Sequence, residues 1–221
     1  MTKPKKITTK ERIKNTAIEL FNIQDSLSIT TNHIAKAAGI SAGNLYYHYR
    51  NKEEIIREIY AEMSERIESL KSFEKMITSP NPLNVLDESF DHYGDLFWEY
   101  RFLMRDAPVL MALDSELKRA FVANQEKRIT QIAGVIKFLI SEEILQNIAK
   151  DEIPLRAKLY WFVTAYWQVF ASMDGDVSRE SIRETKEAMF KIHIAPFLSE
   201  KGRGMMEMFT LNAGGEIPVP L

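Results

Sequence analysis

Asn32, Asn44 and Tyr46, with the small Ala42 and Gly43 beside them, are the side chains of this sequence best suited to reading another molecule's hydrogen-bond pattern. A carboxamide offers a donor and an acceptor side by side, the pair that matches adenine in the DNA major groove, while Ala or Gly leaves room for a thymine methyl. Arginine, the commonest reader of guanine, is missing from Ala42–His48, so the chemistry points to half-sites with A·T-rich centres. Thr31 and Lys52 flank the set with a hydroxyl and an ammonium, each able to hold a phosphate. A helix N-terminus at Thr31 would add its dipole to that contact.

Such groups read a groove only if a rigid frame presents them, and the segment TTNHIAKAAGISAGNLYYHYRNKEE from Thr30 to Glu54 supplies one. Thr30 is a natural N-cap, and Ile34, Ala35 and Ala38 form a small apolar face that a second helix can approach closely. Gly39 supplies the positive φ that ends a helix, Ile40 buries at the turn, and Ser41 can cap a second helix anchored by Leu45. Apart from Leu45 that helix carries Ala42, Gly43, Asn44, Tyr46, Tyr47 and His48, which is no core stripe. Asn51 and Glu54 make a capping box for the next helix. A short polar helix held across a packed one by a tight turn is the geometry that enters a major groove.

From about Lys10 to Tyr60 the chain resembles the N-terminal domain of the TetR family of bacterial transcriptional regulators. The resemblance rests on Ala17, Leu20-Phe21, Thr30-Thr31, Ile34-Ala35, Ala38-Gly39-Ile40-Ser41, the run Asn44 to Tyr49, and Asn51-Lys52-Glu53. It implies a homodimer that binds DNA and is released by a small ligand, with Thr31, Tyr47, His48 and Lys52 at backbone-contact positions. The DNA-binding set is then Thr31, Asn32, Ser41, Ala42, Gly43, Asn44, Tyr46, Tyr47, His48 and Lys52.

Composition agrees with a nucleic-acid partner. Residues 1–60 hold ten Lys/Arg against six Asp/Glu, a net of +4, which leaves −6 for the rest of a chain whose total is −2. A basic minority on an acidic body orients one end toward phosphates. Lys3, Lys5, Lys6, Lys10 and Lys14 could form an arm along the backbone or into a minor groove. Cysteine is absent, which suits a reducing cytoplasm and removes thiolate metal sites. No apolar stretch follows the basic N-terminus, and Leu159 to Phe170, the most apolar run, is too short to span a bilayer. His33, His48, His92 and His193 form no metal-ligand spacing, and no phosphate loop or nucleophile elbow is present, so an enzyme, a metal site or a cofactor is not expected.

The expected fold is all-α: a helix-turn-helix domain over 1–54, a linking helix and loop over 55–80, a helical ligand-binding and dimerisation domain over 81–200, and a tail over 201–221 without clear period. Helix 1 starts at Thr8 with Glu11 as its capping box, and the fourth helix runs from Asn51 to about Phe73. Thr78-Ser79-Pro80-Asn81-Pro82 breaks the chain. Leu83, Leu86, Phe90, Tyr93, Phe97, Tyr100 and Met104 then space as one helix, with Pro108 ending the region. Further helices are expected from Asp114 or Ser115 to about Ile148, from Pro154 to Asp174-Gly175, and from Ser178 to Leu198. Tyr93, Phe97, Trp98, Phe102, Trp161, Phe162, Tyr166 and Phe170 could line a cavity for a lipophilic or aromatic effector, with Arg101 or Arg105 as an anion anchor. Trp161 and Trp167 are candidate dimer anchors beside the last helix. An activator, or an architectural DNA-binding protein without a ligand, is the competing expectation.

Overall fold

The structure, a computed structural model, describes residues 7–213, with side chains from Ile7 to Glu207; Lys3, Lys5, Lys6 and the last residues of the tail lie outside it. Its helices are α1 (Thr9–Ile23), α2 (Thr31–Ala37), α3 (Ala42–His48), α4 (Lys52–Ser69), α5 (Ser72–Thr78), α6 (Pro82–Glu99), α7 (Arg101–Leu113), α8 (Ser115–Ser141), α9 (Ile153–Ala171), α10 (Arg179–His193) and α11 (Glu200–Ala213). Among the described residues no helix is long and apolar enough to cross a membrane.

Local capping chemistry sets most helix starts. Thr8 and Glu11 form the capping box of α1, Asn51 accepts from Glu54 N at α4, and Asp114 accepts from Glu116 N and Leu117 N at α8. The proline-rich break falls where the sequence puts it: α5 ends at Thr78 and α6 opens with Pro82 in its first turn.

Elsewhere tertiary contacts override periodicity. The linking helix stops at Ser69, because Lys71 adopts a positive φ of 50° and starts the separate helix α5. The single helix expected over 83–104 divides at Tyr100, which is fully buried, its hydroxyl accepting from Arg66 Nη1. The next amide but one, Phe102 N–H, is diverted to Asn22 Oδ1 of α1 at 3.1 Å. Pro108 lies inside α7 instead of ending it, exposed, while Phe102, Leu103, Met104, Ala107 and Leu110 bury on the other side. Burying that face offsets the roughly 3 kcal/mol a mid-helix proline costs.

The long helix α8 ends at Ser141 and not near Ile148, since Glu143 and Asn147 take left-handed φ of 57° and 58°. The last stretch also differs from expectation: α10 stops at His193, and α11 (Glu200–Ala213) occupies the start of the 201–221 tail, where the sequence shows no clear period. Gly202 explains the docking of α11, because a Cβ there would stand 2.4 Å from the Ile144 carbonyl oxygen.

One core joins the N-terminal helices to the body. Ile13, Phe21, Ile34, Leu45, Tyr49, Ile55 and Ile59 belong to the same buried cluster as Phe102, Leu103, Leu110 and Phe121. Phe21 and Phe102 meet at 4.9 Å between ring centroids. Helices α9 and α10 are held in register by a buried polar knot: Gln168 Nε2 donates to Thr185 Oγ1 and the Ser181 carbonyl, and Ser181 Oγ donates to Gln168 Oε1. Every member is paired, so the knot fixes register without stranding a polar group.

Candidate nucleic-acid interface and ligand cavity

The reading head is built from short-range hydrogen bonds. Thr30 Oγ1 accepts from His33 N, and Thr30 N donates to His33 Nδ1, so a histidine completes the capping box of α2. Gly39, with φ of 65°, turns the chain, and Ser41 Oγ accepts from Asn44 N to start α3. Leu45 is fully buried beneath α3, and this leaves Ser41, Ala42, Gly43, Asn44, Tyr46 and Tyr47 exposed on one side, with His48 half-buried and edge-on to Tyr47. Asn32 on α2 is exposed beside them.

Two members of the expected DNA-binding set also make structural contacts that the sequence hid. Tyr46 OH and Thr31 Oγ1 lie 3.0 Å apart, which ties α3 to the N-terminus of α2 and restricts both side chains before any DNA arrives. Lys52 Nζ donates to the carbonyls of Ser26 and Leu27 at 2.8 and 3.2 Å, splinting the α1–α2 loop to α4. Of the basic arm, Lys10 pairs with Glu58 and lies over the Tyr49 ring, and Lys14 pairs with Glu62. Both therefore brace α1 against α4, a correction to their expected place along a phosphate strand.

Behind the head, α7 grips α1 and its following loop. Asp106, buried, accepts from Ser26 Oγ at 2.6 Å and from Arg105 Nε at 2.7 Å, while Arg105 Nη2 reaches the Phe21 and Gln24 carbonyls. Arg57 of α4 pairs with Asp114, the cap of α8, at 2.7 Å. Carboxylate-assisted bonds of this kind are the stronger class of hydrogen bond.

The body holds a partly open cavity of about 190 Å³ among α4 to α10. Tyr60 and Met63 of α4, Phe90 of α6, Met104 and Ala107 of α7, Phe121 and Val135 of α8, and Tyr160 of α9 lie on its wall. Of the residues expected there, Tyr93, Phe97 and Trp161 face the space, Trp161 Nε1 donating to Gln125 Oε1. Trp98, Arg101, Phe102, Phe162, Tyr166 and Phe170 do not. Trp98 stacks under the guanidinia of Arg101 and Arg179 outside the cavity, and Arg101 donates to the Trp98 carbonyl. Phe102 fills the core against Phe21, and Arg105 is committed to Asp106. Phe162, Tyr166 and Phe170 recur every fourth residue, the spacing that aligns one face of a helix, and Phe162 and Phe170 are exposed. The walls that sequence reasoning missed include Tyr60, Phe90, Phe121, Tyr160 and His193. For Phe90 the signal was present, since it shares the three-and-four spacing of Tyr93 and Phe97.

Neither tryptophan expected at a dimer seam is on the outer face: Trp161 turns to the cavity, and Trp167 is half-buried with its Nε1 enclosed. The outer face of α9 instead exposes Leu155, Leu159, Phe162 and Phe170, with Met173 just beyond. Among the described residues no group of three His, Cys, Asp or Glu is placed to hold a metal ion.

Comparison with known proteins agrees with this layout. A family model described as bacterial regulatory proteins of the tetR family matches residues 13–59, and one described as bacterial transcriptional repressor matches residues 53–205. The HTH-type transcriptional regulator AcrR of Shigella flexneri is 32% identical over 91 residues, 41% of this chain and 42% of its own length. The chain thus spans under half the length of the curated relatives it matches. A TetR-family transcriptional regulator from Marinobacter aquaeolei VT8 superposes with a TM-score of 0.74 at 25% identity, over 91% of this chain and 97% of that one. The structure of SmeT in complex with triclosan shares the fold, with a TM-score of 0.64 at 17% identity over 96% of this chain and 98% of that one. With more than half of its residues matched, the chain belongs to the TetR family of bacterial transcriptional regulators.

Proposed function

We propose that this protein is a cytoplasmic homodimeric repressor that reads a palindromic operator through α3 and leaves it when a lipophilic ligand fills the cavity. The observation that carries the reading is the double role of α7. Its Met104 and Ala107 line the cavity, while its Phe102 and Asp106 grip α1 and the α1–α2 loop. A ligand that displaces α7 therefore acts on the reading head directly, through packed side chains and a buried carboxylate. Tyr60 and Met63 give the cavity a second lever, α4, which carries the head on its first turn. SmeT, which shares the fold, has been solved in complex with triclosan.

The exposed apolar row of α9 supports a dimer, whose two-fold axis would set half-sites about 34–36 Å apart or a multiple of that. Selection of bound sites from random DNA is expected to recover inverted repeats with A·T-rich half-site centres. On the recovered site, Asn44→Ala is expected to cost about 1–3 kcal/mol and to relax base choice at one or two positions in each half. Uniform weakening on every sequence would show that Asn44 holds the backbone only; asymmetric single sites would remove the palindrome.

A further inference from the structure

One stretch of the cavity wall carries two half-buried polar groups that no described residue hydrogen-bonds. His193 of α10 and Tyr160 of α9 stand with ring centroids 5.6 Å apart, both on the cavity wall. Neither imidazole nitrogen nor the Tyr160 hydroxyl makes a hydrogen bond to a described residue, although the surrounding wall is largely apolar. Both groups are half-buried, so a ligand that covers them must supply a hydrogen-bond partner or leave them unpaired at a cost in free energy.

The charge around this stretch decides what kind of partner. Arg156 already pairs with Glu152 at 2.8 Å and lies 4.0 Å over the Phe197 ring. Lys186 is shared between Asp87 at 2.9 Å and Asp91 at 2.7 Å. Both cations already have carboxylate partners, so neither offers a free counter-charge to an anionic head. We propose that the ligand carries a neutral hydroxyl, phenolic or alcoholic, on an apolar body, and that this hydroxyl bridges the two rings, donating to His193 and accepting from Tyr160. The assignment rests on the reading of the cavity as an effector site and names the chemistry of its polar end. Burial and the charge of Arg156 hold the His193 imidazole below its ordinary value, so it is neutral and keeps an acceptor nitrogen. Burial pushes the Tyr160 phenol up, which keeps its proton available to donate. A site built to hydrogen-bond a hydroxyl rejects the analogue that lacks one, because its own polar groups are then left unpaired.

The test is a calorimetric titration of the full chain with three matched probes, 4-hexylphenol, hexylbenzene and 4-hexylbenzoate. 4-Hexylphenol is expected to bind about tenfold more tightly than either of the others. Tyr160→Phe and His193→Phe, which keep a ring in place, are expected to lower its affinity about five- to tenfold each while leaving hexylbenzene within about twofold. In the phenol complex the imidazole, followed by its NMR titration, should keep its low pKa. Equal affinity for 4-hexylphenol and hexylbenzene, or variants that weaken both alike, overturns the hydroxyl assignment. Tightest binding of 4-hexylbenzoate with a raised His193 pKa overturns it in favour of an anion site and leaves the effector cavity standing. If none of the probes binds, the effector cavity fails with it.

Discussion

The double variant Phe162→Glu, Phe170→Glu is expected to be monomeric and to hold operator DNA about 10²- to 10⁴-fold less tightly than the parent chain. These side chains are 59% and 67% exposed and share the outer face of α9 with Leu155, at 62%, and Leu159, at 47%. A second copy that covered the row would recover about 1.5–3 kcal/mol for each large side chain buried. Carboxylates at two of its central positions replace that gain with a desolvation cost and like-charge repulsion across the two-fold axis. The loss on DNA is large because the dimer makes its second half-site contact intramolecular, and the monomer forfeits that advantage entirely. Both positions lie off the cavity and off the reading head, so helicity and thermal stability should change little. Sedimentation equilibrium and operator titration check the two halves of the prediction. An unchanged dimer would move the seam off α9.

Asp106→Ala should cost about 2–4 kcal/mol of unfolding free energy, less than a fully buried pair because Arg105 keeps some contact with water. Its carboxylate holds the Ser26 hydroxyl and the Arg105 guanidinium, whose side chain is 18% exposed. Removing it strands the Ser26 hydroxyl and leaves Arg105, through its bonds to the Phe21 and Gln24 carbonyls, as the polar link from α7 to α1 and its following loop, while Phe102 still packs on Phe21. The functional consequence differs from the thermodynamic one. The cavity wall keeps Met104 and Ala107, so ligand affinity in the absence of DNA should survive, but displacement of α7 is then passed on through fewer contacts. Ligand-driven release should weaken accordingly. Urea unfolding reads the first effect and operator titration with and without ligand the second. A stability loss under about 1 kcal/mol would mean that water replaces the carboxylate at little cost.

The parts of this molecule legible in the sequence are those decided within one turn of helix. Thr8 with Glu11, Ser41 with Asn44, Asn51 with Glu54 and the positive φ of Gly39 are local arrangements, and Leu45 stands out as the lone large apolar anchor in a polar helix. The family resemblance was legible for the same reason, since it lies on those residues. What could not be read depends on distant neighbours. Tyr100 interrupts a faultless helical spacing because Arg66 of α4 anchors its hydroxyl and Asn22 of α1 takes the Phe102 amide. Lys10 and Lys14 look like a free arm until α4 brings Glu58 and Glu62 against them. The cavity wall was the hardest case. In Leu155–Met173, apolar nearly all round, sequence offers no inside, so Tyr160 and Trp161 could not be separated from Phe162 and Phe170. Helix α11 went unread because its close approach to Ile144 depends on Gly202, a residue that a sequence reading assigns to a loop.

Release by ligand requires coupling between the cavity and the reading head, and linkage makes that coupling measurable from either side. The most direct measurement is the dissociation constant of one cavity-bound probe, determined with the free protein and again with the protein saturated by its selected operator. Release by ligand predicts that the operator weakens the probe about tenfold, equivalent to about 1.4 kcal/mol, and that saturating probe weakens the operator by the same factor. Identical constants in the two titrations would contradict it: the cavity would then bind its ligand without telling the DNA-reading helices, whatever else the protein recognises.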